Sequence, residues 1–145
     1  MAIKLVRPSP RCRVVFYPKT TNNAQSEGDA LFLTSGALSV CASAANAGAI
    51  AGVALATLTA AEATAMASAG TKTPVLVDED GIWSVPVDDS TSFDEGVLCD
   101  ADSTGQKLDC NGTTYITFQI CGGNTTTGHV HIRRWDHNDP GASVS

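Results

Sequence analysis

A chain of 145 residues is long enough for one domain with a core of its own. Charged residues are sparse at 17%, mean hydropathy is close to zero, and the polar remainder is mostly Ser, Thr, Asn and Gly, which favours strands and turns over solvated helices. The net charge of −6 is uneven: residues 1–19 carry Lys4, Arg7, Arg11, Arg13 and Lys19 and no acid, while ten of the fifteen acidic residues fall in 78–109, a body that repels phosphate and argues against nucleic acid as a direct partner.

In chain order, the opening "MAIKLVRPSPRCRVV" lacks the apolar central segment of a secretory signal, and Pro8 and Pro10 interrupt it. The cysteines are Cys12, Cys41, Cys99, Cys110 and Cys121. An odd count without a signal predicts reduced thiols in a cytosol-made protein, each packed as a small apolar side chain. "RCRVVFY" reads as a strand and "PKTTNNAQSEGD" as a polar loop, so residues 1–26 form an extended basic N-terminal arm, a first strand and a loop.

Residues 30–61 carry no charge. Length alone allows a membrane span, but the run depends on Ala and Gly, holds Asn46 near its middle and lacks flanking aromatic or basic anchors. It divides instead into a half-buried strand "ALSVCAS", a turn "AANAG" and a small-residue strand "AIAGVAL", where Gly52 marks a bulge or a close backbone approach. "TAAEATAMASAG" then offers Thr59 as N-cap, Glu62 as its capping-box partner and Gly70 as a stop, predicting one short helix over 60–69 that lies on a sheet. Low charge across the run means burial in the sheet, against the helix or against another copy of the chain.

Beyond the helix the pattern is β. "TPVLVDEDGIWSVPV" reads as a hairpin turning at Asp80-Gly81, with Pro86 placing its second strand at an edge or at its end. "GVLCDAD" and "QKLDCNG" flank the turn "DSTG" as another hairpin. "TTYITFQICGG" alternates with Phe118 and Ile120 on its buried face, and "HVHIRRW" puts Val130 and Ile132 inward and His129, His131 and Arg133 outward. The expectation is a mainly β single domain: a small β-barrel body over 27–135 and a loose polar tail over 136–145.

No constellation of residues dictates a reaction. Cys99, Cys110 and Cys121 are evenly spaced and followed by His129 and His131, but no C-x-x-C occurs, and buried thiols are the simpler reading than zinc. "DADSTGQKLDCN" sets Asp100 and Asp102 as a calcium loop would, yet Asn111 stands where a bidentate Glu belongs, so a hairpin turn explains the stretch better. Cys121 with His129 as nucleophile and base lacks a third, orienting group. No metal or cofactor and no enzymatic activity are expected. Trp83 reads as a packed side chain, and Trp135, beside Arg133 and Arg134, as an interface residue.

The order of motifs resembles small tailed-bacteriophage capsid decoration (cement, head-stabilising) proteins. The similar elements are "GVAL" after small residues, "PVLVD" followed by "GIWSVPV", "EGVLCD", and a closing strand ending in Arg133, Arg134 and Trp135; they span most of 27–135. The resemblance implies a β-tulip or small-barrel domain, commonly a homotrimer, on the outer face of an icosahedral capsid. Its job there is to clamp neighbouring copies of the major capsid protein, with an N-terminal arm reaching across them. It places the protein on the virion exterior after assembly in a host cytoplasm. The contact residues on that reading are Lys4, Arg7, Arg11, Arg13, Arg133, Arg134 and Trp135. The alternative is a carbohydrate- or receptor-binding β-module of a virion or cell surface, which needs an exposed aromatic platform built on Trp83 or Trp135.

Overall fold

Alternating apolar residues and frequent turn residues produce eleven short strands and two helices among the described residues, which are 2–133 of this computed structural model. Strands hold 45% of the described residues and helices 11%, so the class is mainly β, as expected. In chain order the elements are β1 (Lys4–Arg7), β2 (Arg13–Pro18), β3 (Ala30–Thr34), β4 (Ala37–Val40), α1 (Ala44–Ala47), β5 (Ile50–Ala54), α2 (Ala60–Ala69), β6 (Lys72–Val77), β7 (Ile82–Asp89), β8 (Leu98–Ala101), β9 (Leu108–Asp109), β10 (Phe118–Gly123) and β11 (Thr127–Ile132).

Two sheets share them. The first runs β1-β7-β11-β10-β8-β9, and a further parallel pairing of β9 with β7 closes five of these strands into a barrel. Trp83, Val85, Leu108, Phe118, Ile120, Val130 and Ile132 are the largest of its buried aliphatic and aromatic residues. The second sheet runs β2-β6-β5-β3-β4 and rolls until its ends meet, where Lys19 bridges Leu38 and Thr20 N donates to Leu38 O at 3.0 Å. One hydrophobic cluster, from Leu31 and Leu38 to Phe118 and Ile132, joins both sheets.

The uncharged run lies inside the chain's own fold. All five residues of β5 are buried between β3 and β6. Gly52 meets both halves of its expectation: the β3–β5 register shifts beside it, and an added Cβ would stand 2.8 Å from Val75 Cβ. α2 matches the predicted helix, with reciprocal Thr59–Glu62 capping bonds of 3.1 and 2.9 Å and Gly70 in the left-handed region. Its expected place on a sheet is thinly supported, since only Ala63 of the helix is buried. "AANAG" is not a plain turn. Ser43 Oγ accepts from Asn46 N and turns residues 44–47 into a second, four-residue helix.

The hairpin predicted across Asp80-Gly81 does not form. β6 and β7 follow one another but pair in different sheets, β6 with β2 and β5, β7 with β1, β11 and β9. The Asp-Gly pair is a corner between sheets. Asp78, fully buried, accepts Ser9 N at 2.7 Å and the Ser9 hydroxyl, while its carbonyl accepts the Trp83 indole N–H at 3.2 Å. A buried indole needs an acceptor, and the corner supplies one only if the chain leaves β6 there. The hairpin over 98–109 forms as expected, with Asp100 opposite Asp109.

Pro86 is a local edge. Val87 N donates to Thr126 O on the β11 side, so by alternation the Pro86 nitrogen faces the other edge. There β1 has ended opposite Ser84 and β9 begins opposite Val87, so no partner lacks a donor. The N-terminal segment is extended, but it is no free arm: β1 pairs with β7, and β2 pairs along its whole length with β6.

Gln106 at the β8–β9 turn joins the two sheets. Its amide oxygen accepts Ala30 N at 2.7 Å, and its amide nitrogen donates to Ala30 O at 3.0 Å and Cys41 O at 2.8 Å, completing the end of the β3–β4 ladder. Neighbouring Gly105, at φ +75°, lets the turn approach closely, since an added Cβ would lie 2.8 Å from Ser43 O. Gln106→Ala strands the buried Ala30 N–H and the Cys41 carbonyl and is expected to destabilise the fold by about 2–4 kcal/mol. Urea unfolding of the two proteins measures this, and equal midpoints would show that water replaces the amide.

Candidate docking surface

The barrel's outer wall is built by register. On β7, Trp83 and Val85 point inward, which leaves Ile82 and Ser84 outward. Lys4 and His129 stand opposite Ser84, Arg7 opposite Ile82, and Gln119 opposite His131. Lys4, Arg7, His129, His131 and Arg133 therefore share one outward face across β1, β7 and β11. Among the described residues Lys4, Arg7 and Arg133 make no ion pair; Arg133 donates to Gln119 Oε1 at 3.1 Å. His131 Nδ1 lies 3.0 Å from Gly81 O, and since a carbonyl only accepts, the proton sits on Nδ1. Carboxylates adjoin it: Glu95 opposes Arg7 in its effect on the Cys121 thiol, which burial chiefly pushes up, and Glu27 lines a groove with Lys4.

The other predicted contact residues divide. Arg13 makes a two-pronged pair with Glu79 at 2.8 and 2.8 Å, and Arg11 lies 3.9 Å from Glu79 and 3.5 Å from Asp80. The Arg13 hydrogen bond, ahead of the opposing effect of burial, holds the Glu79 carboxyl below the usual carboxylate range. These two arginines are neutralised within the chain. Arg134 and Trp135 lie outside the described residues.

The possible chemical sites also resolve. Cys99 and Cys110 are buried inside the barrel, whereas His129 and His131 sit on its outer face, and the Cys121 thiol donates to His129 O at 3.3 Å. No group of three metal ligands occurs among the described residues. Asp100 accepts Thr114 N and Tyr115 N at 3.0 and 2.8 Å, and Asp102 accepts from Thr104 and Lys107, so both carboxylates hold turns. Trp83 is 0% exposed and cannot be an aromatic platform; the platform reading is left with Trp135, outside the described residues. A groove of about 430 Å³ beside β1 is lined by Lys4, Leu5, Glu27, Leu55 and Leu76 as well as the edge of Trp83.

A second surface is mostly apolar, with Lys72 at its end opposite Pro18. Val14 and Phe16 are 48% and 57% exposed on β2, directly opposite Leu76 and Pro74 of β6. Sequence reading missed this strip because "RVVFYP" looks like an ordinary half-buried strand; which of its faces is covered depends on the roll of the sheet. No helix among the described residues is long and apolar enough to cross a membrane. The chain matches no protein-family model and no curated protein.

Lys19, counted by sequence with the basic arm, is 2% exposed. Its ammonium donates to Asn23 Oδ1 at 2.7 Å and sits 3.4 Å from Leu38 O, with no carboxylate within ion-pair distance among the described residues. Burial lowers its pKa to about 8, against a smaller opposing pull from Asp29. Between about pH 8 and 10.5 the unfolded chain holds a proton here that the folded chain has lost, so this group adds stability as pH rises. The thiols of Cys41, Cys99, Cys110 and the half-buried Cys121, all pushed up chiefly by desolvation, act oppositely above pH 9, where the unfolded chain ionises first. The clean measurement is therefore a difference. Lys19→Met leaves Leu38 O bonded to Thr20 N and Asn23 Oδ1 bonded to Val40 N. Under reducing conditions it is expected to be more stable than wild type at pH 7 by on the order of 2 kcal/mol, an advantage that vanishes by pH 10.5. A less stable variant at pH 7 would contradict the burial penalty.

Proposed function

We propose that the protein is a structural component of a virion that binds the outer surface of an icosahedral phage capsid and stabilises contacts between major capsid subunits. The observation that carries this reading is the basic outward face of β1, β7 and β11. On a chain of net charge −6, Lys4, Arg7 and Arg133 are gathered on one side without ion-pair partners among the described residues. Such a face fits an acidic protein surface, and its contribution falls with salt. Many copies on a shell turn modest single contacts into firm attachment. The resemblance of the motif order to decoration proteins supports the same reading, and the strip of Val14 and Phe16 supports self-association.

Removing the first ten residues is a poor test, because it deletes β1 from the barrel and Ser9 from Asp78. Point changes on the outer face are cleaner. Co-sedimentation with purified expanded shells is expected to weaken at least tenfold in the Lys4→Ala/Arg7→Ala/Arg133→Ala protein, with a shallower dependence on salt. Binding equal to wild type at every salt concentration would sink this docking face. Light scattering tests the second surface. The wild type is expected as a homotrimer and Phe16→Asp as a folded monomer; an unchanged mass would remove β2 from the subunit interface.

A further inference from the structure

We propose that Cys99 and Cys110 are an oxidisable pair that forms a disulfide inside the barrel, stapling β8 to β9. The two lie one step along the ladder from Asp100 opposite Asp109. Their backbones turn away from each other: Cys99 O accepts Thr117 N on the β10 side, and Cys110 N donates to Asp89 O on the β7 side. The regular ladder ends at Asp109, where the chain turns and Asp100 N donates to Gly112 O at 3.0 Å, so the two cysteines stand just beyond the last bridging pair; facing Cα atoms of neighbouring antiparallel strands lie about 4.5–5.5 Å apart. A disulfide accepts Cα separations of roughly 4.4–6.8 Å. Both side chains face inward, with 0% and 2% exposure, and the Cys99 thiol is hydrogen-bonded to the Cys110 sulfur. Cys121, although evenly spaced from them in sequence, is engaged elsewhere with His129 O.

The setting gives the bond a consequence. β9 is two residues long, yet it closes the barrel onto β7. Transient opening of this seam exposes both sulfurs; the bond, once made, prevents it. Burial pushes the Cys99 thiol up to about 12 and the Cys110 thiol up as well, so both are protonated in the closed barrel at neutral pH and oxidation waits on opening. With hydrogen peroxide as oxidant, the Cys110 thiolate attacks one peroxide oxygen, breaking the O–O bond to give a sulfenic acid and hydroxide. The Cys99 sulfur then attacks the Cys110 sulfur, forming S–S and releasing water. The two thiol protons end in water, and the balance is two thiols and one peroxide to one disulfide and two waters. None of this depends on the capsid reading.

The test is a thiol count. The fully reduced chain is treated with hydrogen peroxide, quenched with catalase, unfolded, and titrated with Ellman's reagent. The count is expected to fall from five to three, with a mass lower by about 2 Da and one linked peptide pair holding Cys99 and Cys110. Tm is expected to rise by roughly 5 °C. Cys121→Ser should keep both the loss of two thiols and the rise in Tm; Cys110→Ser should show neither. A count that stays at five, a gain of oxygen at Cys110 without a bridge, or a bridge to Cys12, Cys41 or Cys121 would each overturn the proposal.

Discussion

β7 has to satisfy three neighbours along eight residues. One edge belongs to β11. The other is divided between β1, which pairs its first half, and β9, which pairs its second. Pro86 stands between them, with its donor-less nitrogen at the unfilled step. Every feature of the barrel follows from this division. β9 can close the ring because β1 stops at Ser84, and β1 can widen the wall because β9 starts only at Val87. Trp83, halfway along the paired first stretch, fills the core and holds the incoming corner by its indole bond to Asp78 O.

The same arrangement gives the outer face its sign. With Trp83 and Val85 committed inward, alternation sends Lys4, Arg7, His129, His131 and Arg133 outward together. Most of the chain's acid lies elsewhere: in the corner after β6, where Glu79 and Asp80 take Arg11 and Arg13, and in turns, where Asp100 and Asp102 hold backbone N–H groups. Of the five basic residues in 1–19, only Lys4 and Arg7 reach this wall, where Arg133 joins them; Arg11 and Arg13 pair at the corner and Lys19 is buried. A second side presents Val14 and Phe16. A body with one charged and one apolar surface, and a core that the two sheets share, is suited to sitting between partners.

Local signals were legible where local chemistry decides. Thr59, Glu62 and Gly70 define α2 because capping is a matter of neighbouring residues. The alternation through Phe118, Ile120, Val130 and Ile132 defines the β10–β11 wall because a strand with one buried face repeats every second residue. The hairpin at Asp80-Gly81 was not legible. A turn dipeptide says that the chain reverses or bends, but which sheet receives the next strand is decided by Ser9, sixty-nine residues before Asp78. Lys19 misled for a similar reason: its burial comes from the roll of the second sheet onto Leu38, which no run of nearby residues records. The docking face was half legible. Lys4, Arg7 and Arg133 were candidates on charge alone, but so were Arg11 and Arg13, and only the placement of Glu79 and Asp80 separates the two groups. The pairing of Cys99 with Cys110, and not with Cys121, likewise needed the register.

On the proposed function, the basic wall of β1, β7 and β11 is the side that meets an acidic shell. A cryo-electron microscopy reconstruction of the protein bound to an expanded empty capsid tests it most directly. In it Lys4, Arg7 and Arg133 are expected to face acidic side chains of the major capsid protein, with β2 turned toward a neighbouring copy. A reconstruction in which that wall points to solvent, or in which no density for the protein is found on the shell at saturating concentration, would contradict it.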